Sequence, residues 1–143
     1  MHSNLPDPLI DFSYRTDLDI LVSRWGYQPD PHELPAVYQQ MCDMALRENA
    51  RFWLQDIRRR TLNDPYTTEW LLNKYFPDMA RRLRGRLYVA YLVGPALHQS
   101  IISRPGYVSA EAYDDKPFAI SFFNDEGAAI RWLQIQQTDK VRP

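Results

Sequence analysis

The residues best equipped for chemistry stand together in the run Asp56-Ile57-Arg58-Arg59-Arg60-Thr61, directly after the apolar stretch Phe52-Trp53-Leu54-Gln55. Guanidinium groups present paired donors to carboxylates and phosphates. Behind them Asn63-Asp64-Pro65 opens a helix, whose N-terminus would add favourable partial charge for an anion. The same run also reads as a solvated loop whose arginines pair with surface acids, each pair contributing roughly 0–1 kcal/mol. In an open α/β sheet, ligands settle outside the carboxyl ends of the strands. That edge would gather Asp56, Arg58, Arg60 and Thr61 with Gly94 and His98 after the next strand and Asn124 after the last. This set is the candidate site for a protein partner or a small anionic or amphipathic ligand. Taken singly, Asn124 reads as a helix cap and His98 as a surface imidazole. Thr61, placed after a basic run, is also a candidate phosphorylation site, although threonine there ordinarily supplies a turn hydrogen bond.

Catalytic signatures are missing from the pattern. His2, His32 and His98 fall on unrelated segments, no histidine pair has ligand spacing, and neither a nucleophile elbow nor a phosphate-cradling glycine loop occurs. The single cysteine, Cys42, falls on the apolar face of a helix, where a buried inert thiol is the ordinary role. Asp30 and Glu33 look like a carboxylate pair, but their spacing is that of a capping box. No catalytic residue, metal site or cofactor is therefore expected, and the chain reads as a non-enzyme. A second basic cluster, Arg81, Arg82, Arg84 and Arg86, precedes a strand instead of following one, so it belongs on the opposite edge of the sheet. With a net charge of -1 over 143 residues, no continuous nucleic-acid groove is expected.

The elements that must position these residues follow from periodicity. Leu9, Ile10, Phe12 and Tyr14 make a first strand, Thr16-Asp17 a turn, and Leu18 to Trp25 a second strand, paired as an antiparallel hairpin. Asp30-Pro31-His32-Glu33 starts a helix with Leu34, Val37, Tyr38, Met41, Cys42 and Ala45 on one face, ending near Asn49. The near-continuous apolar run Phe52 to Ile57 predicts a strand buried on both faces. A helix from Asp64 is expected to break at Pro77 and resume to Leu83, stopped by Gly85. Leu87 to Val93 is the clearest strand. Gly94-Pro95 opens a helix with Leu97, Ile101 and Ile102 inward, and Pro105-Gly106 closes it, while residues 107 to 117 carry no clear pattern. Phe118 to Phe123 is the last strand, and Asn124 caps a final helix with Ala128, Ala129, Trp132, Leu133 and Ile135 as its stripe. The order β-β-α-β-α-β-α-β-α predicts an α/β fold, a mostly parallel mixed sheet of about five strands with an N-terminal antiparallel hairpin. Residues 1 to 8 are expected to be a flexible tail, 9 to 136 one domain, and 137 to 143 a frayed end.

The pattern as a whole resembles the SpoIIAA-like branch of the STAS domains, found in bacterial single-domain proteins. The likeness runs over roughly residues 9 to 136. It rests on the hairpin closing in Trp25-Gly26-Tyr27, the strand Trp53-Leu54-Gln55-Asp56 with its basic loop, and the segment Trp70 to Phe76 running into Pro77. The strand Leu87 to Val93 and the ending Phe122-Phe123-Asn124-Asp125-Glu126 before Ala129-Ile130-Arg131-Trp132-Leu133 complete it. The resemblance implies a regulatory or protein-interaction module. Where phosphorylatable STAS domains carry an Asp-Ser-Ser-Gly type loop, this chain has Asp56-Ile57-Arg58-Arg59-Arg60-Thr61, with neither the switched serine nor the glycine.

Aromatic residues such as Trp25, Tyr27, Trp53, Trp70, Tyr75 and Phe76 exceed what a modest core needs, so a homo-oligomeric face or an apolar ligand pocket is a further expectation alongside core packing. The N-terminal residues lack the basic start and apolar run of a signal peptide, and no apolar run is long enough to span a bilayer. The expected setting is cytoplasmic, away from any membrane.

Overall fold

The computed structural model describes residues 8–61, 63–103 and 113–139. Five strands form one sheet in sequential order: β1 (Ile10–Arg15), β2 (Ile20–Trp25), β3 (Phe52–Asp56), β4 (Leu87–Leu92) and β5 (Phe118–Phe123). The first pair is antiparallel and the remaining pairs are parallel, as the element order requires. Asp19, with φ of 56°, takes the left-handed conformation that turns the hairpin. Its carboxylate accepts a bond from the Tyr14 hydroxyl at 2.5 Å.

Sequential order has a geometric consequence. Each parallel step moves the same way across the sheet, so right-handed crossovers place all their helices on one face. That face holds α1 (Leu34–Glu48), the α2–α3 segment (Pro65–Trp70 and Phe76–Leu83) and α4 (Pro95–Ile102) over Leu21, Trp53, Val89 and Ile120. Among the described helices, only α5 (Glu126–Asp139), which follows the last strand, covers the opposite face, over Ile20, Phe52, Leu54 and Ala90. All five residues of β3 are buried, as its apolar run predicts for a central strand.

The helix starts are set by local chemistry. Pro31–Glu33 forms a 3-10 turn, with the Glu33 carboxylate accepting the Asp30 N–H at 2.8 Å, and α1 continues from it. All six residues expected on the apolar face of α1 are buried. Asn49 then ends the helix in the left-handed conformation.

Several expectations are corrected. Pro77 does not break its helix: α2 and α3 are continuous through a π-helical turn, Leu71–Tyr75, in which the Phe76 N–H bonds the Leu71 carbonyl. The widened turn shifts the hydrogen-bond register just before the proline, so the helix passes the residue that lacks a donor. The left-handed residue ending α3 is Arg84, not Gly85. Gly85 instead permits close approach, since a Cβ there would lie 2.6 Å from Nη1 of Arg51. In α4 Ile101 is buried but Ile102 is exposed, and on α5 Ile135 points to solvent. The final helix is capped one residue later than expected, Asp125 accepting the Ala128 N–H at 2.9 Å in place of Asn124. It reaches Asp139, with the Gln137 amide bonded to the Leu18 carbonyl at 2.8 Å. The expected tail over residues 1 to 8 falls outside the described residues except for Pro8, as does most of the segment 107 to 117.

Candidate functional site

β3 ends at Asp56, and the chain leaves the sheet through a turn in which the Arg60 N–H bonds the Ile57 carbonyl at 3.0 Å. Side chains alternate across a strand, so Asp56 belongs to the face covered by α5, while the turn carries Arg60 over the face covered by the other helices. The arginine run is thereby divided between two environments.

On the α5 side, Asp56 is the acceptor of a local clasp. It receives Arg24 Nη1 at 2.9 Å and, from Arg58, the backbone N–H at 3.2 Å, Nε at 2.9 Å and Nη2 at 2.7 Å. Arg24 also bonds Glu126 at the start of α5 at 2.8 Å, joining β2, β3 and α5. Burial would raise the Asp56 carboxyl, but the Arg58 and Arg24 bonds outweigh it and hold its pKa below the usual carboxylate range. Glu126 is lowered chiefly by its hydrogen bond from Arg24.

On the other side, Arg60 is 7% exposed. Its guanidinium lies over the Trp25 ring, 4.2 Å from the centroid, and Nη2 donates to Asn63 Oδ1 at 2.5 Å. Trp25 is held in turn by its Nε1–H on Gln55 Oε1 at 3.0 Å. Arg60 Nε has no hydrogen-bond partner, and no carboxylate of the described residues pairs with this cation. It borders a pocket of about 210 Å³ between the sheet, the π-turn and α4, lined also by Ile57, Leu71, Leu72, Ile101, Ile120 and Phe122. Thr61, Asn63, Thr68, Tyr91 and Tyr113 add polar groups to the lining. Burial pushes the phenols of Tyr38 and Tyr91 upward, Arg60 pulling the other way in both, so each stays neutral at pH 7.

The seven candidate residues thus do not all line one pocket. Arg60 and Thr61 meet at the pocket. Asp56 and Arg58 satisfy each other on the opposite face. The Thr61 N–H and hydroxyl both donate to Gln28 Oε1, at 2.8 and 3.1 Å, which anchors the loop. His98, half-buried on α4, and Asn124, exposed after β5, do not line the pocket. Strand order never reverses in this sheet, so it has no switch point of the kind that opens a crevice in doubly wound sheets. The cavity lies against one face, under the carboxyl ends of the strands. Of its walls only Phe76 stood among the aromatics expected to line a pocket or an interface, and Leu71, Leu72, Tyr91 and Phe122 read as ordinary core. The π-turn that presents Leu71 and Leu72 has no local sequence signature.

Among the described residues, no cluster of three or more histidine, cysteine or acidic side chains could hold a metal ion, and no helix is long and apolar enough to cross a membrane. No protein-family model matches this chain, and no curated protein matches it. The geometry alone defines its class: an α/β domain with a small, largely apolar pocket that carries one buried cation.

Proposed function

We propose that this protein is a non-catalytic sensor module that binds a small amphipathic ligand in the pocket beneath the carboxyl ends of β3, β4 and β5. One observation carries the reading: a buried arginine that no carboxylate of the described residues pairs with borders a largely apolar cavity. Pockets that orient small molecules combine this kind of apolar lining with a few convergent polar groups. Occupancy would bear on Arg60 and the π-turn, and through them on the outer surface of α2. That is consistent with the regulatory role implied by the STAS resemblance. Native mass spectrometry of protein purified from its own cells, compared with the denatured mass, tests it. A small-molecule adduct lost on denaturation is the expected result, and a bare native mass at saturating concentrations of candidate metabolites counts against the reading.

A second reading, contact with a protein partner or with another copy of the chain, is favoured by one surface. Tyr66 is 86% exposed and Trp70 39%, beside Pro31, Leu34 and Pro35. Aromatic and proline side chains gathered in this way suit an interface. Sedimentation velocity over a wide concentration range checks self-association, for which a constant monomer mass is the contrary result.

A further inference from the structure

We infer that the ligand is a compact monocarboxylate, an apolar or aromatic body of about ten to twelve non-hydrogen atoms bearing one carboxylate that Arg60 receives; this rests on the reading of the pocket as a ligand site. The charge comes first. Arg60 is the only side chain on the described lining that is ionised at neutral pH, and it is more than nine-tenths buried. A guanidinium removed from water without a counter-charge is unfavourable. Trp25, Asn63 and Tyr38 meet it only with a ring face, an amide oxygen and a neutral phenol. One cation calls for one negative charge, because a dianion such as a phosphate ester would leave its second charge unpaired among apolar groups.

The donor geometry narrows the group. Nη2 spends one N–H on Asn63, and Nε spends none. Nε is sealed from the cavity, so the terminal N–H groups that Asn63 leaves unused are the ones that receive the carboxylate oxygens. The volume sets the body. A dry cavity of about 150 Å³ accommodates benzene, so about 210 Å³ has room for a ring or branched alkyl group, a short link and the carboxylate. Ile57, Leu71, Leu72, Ile101, Ile120 and Phe122 offer that body an apolar wall. Phe122 is already stacked on Tyr91, with ring centroids 5.3 Å apart and planes 17° from parallel, which leaves a flat surface suited to a planar group.

Three probes of matched size separate the claims when titrated calorimetrically into the full chain: 3-phenylpropanoate, its neutral isostere 3-phenylpropanamide, and phenyl phosphate. The carboxylate is expected to bind about ten- to a hundredfold tighter than the amide, the ratio that a charge-assisted hydrogen bond supplies. Phenyl phosphate is expected to be weaker than the carboxylate. In Arg60→Met the carboxylate preference should vanish while the amide still binds. Asn63→Asp, a near-isosteric change that gives Arg60 an internal counter-charge, should abolish the preference without removing the pocket. Equal binding of amide and carboxylate overturns the charge assignment and leaves the pocket reading intact, and tighter binding of phenyl phosphate overturns the monoanion. Silence from all three probes overturns the size and class assignment, while the native-mass experiment decides separately whether the pocket binds anything.

Discussion

Replacing Asp56 by alanine is expected to destabilise the fold by about 2–3 kcal/mol without touching the pocket, because this carboxylate belongs to the clasp on the α5 face. Its side chain is 8% exposed and accepts from two arginines. A fully buried charge-assisted bond contributes roughly 1.5–3 kcal/mol, so a plain sum over the clasp would be much larger. That sum is too high, since the Arg24 and Arg58 side chains are 40% and 50% exposed and regain water when the carboxylate is gone. Arg24 also keeps Glu126. At this chain length the loss corresponds to about 6–12 °C in Tm. Glu126→Ala is the control: that side chain is itself 36% exposed, so its loss should cost about 0.5 kcal/mol.

The pH dependence follows from the sign of the shift. The Asp56 pKa is lowered in the folded state, so its contribution is present above the unfolded value of about 3.9 and is lost as pH falls through the folded value. The gap between wild type and Asp56→Ala should be full at neutral pH and close below about pH 4. Urea unfolding followed by tryptophan fluorescence, with m compared between variants, measures it. A loss in Asp56→Ala no larger than in Glu126→Ala at neutral pH, or a gap that widens in acid, would show that Asp56 is not the centre of the clasp.

Three other outcomes are expected. Arg60→Met should leave the unliganded protein within about 1 kcal/mol of wild type, since the lost ring and Asn63 contacts are offset by relief of an unpaired buried donor. A loss of about 3 kcal/mol or more in urea would make Arg60 a structural strut. Tyr14, whose phenol is pushed up to about 12, first by its hydrogen bond to Asp19 and then by burial, should ionise late in an ultraviolet titration. That bond stabilises the fold below the ordinary tyrosine pKa of about 10 and loses its effect as pH rises through the folded value, and Asp19→Ala should return Tyr14 to the ordinary range. Gly85→Ala should destabilise by about 1 kcal/mol through its encounter with Arg51, and adding Arg51→Ala should restore most of the loss in the same melts.

The architecture was legible because its signals are local. The capping residues Asp30 and Glu33, the face from Leu34 to Ala45, the doubly buried strand Phe52–Asp56 and the Gly94-Pro95 helix start each depend on neighbours a few positions away. Strands separated by helices then leave little choice but parallel pairing. Where reading failed locally, another interaction had won: the π-turn carried the helix past Pro77, and Asp125 took the cap expected of Asn124.

The site was only half legible, for a physical reason. The run Asp56 to Thr61 could be named as important from its charges, but three adjacent arginines look alike in sequence. Which of them turns inward depends on Trp25, 35 positions earlier, whose ring offers a seat for one guanidinium and is itself held by Gln55. It depends equally on the clasp on the far side of the sheet, where Asp56 holds both Arg24 and Arg58 and Glu126 holds Arg24. The sequence determines that cations crowd the end of the central strand. Only the packing of distant segments decides that Arg58 remains half in water while Arg60 lies buried beside a largely apolar cavity.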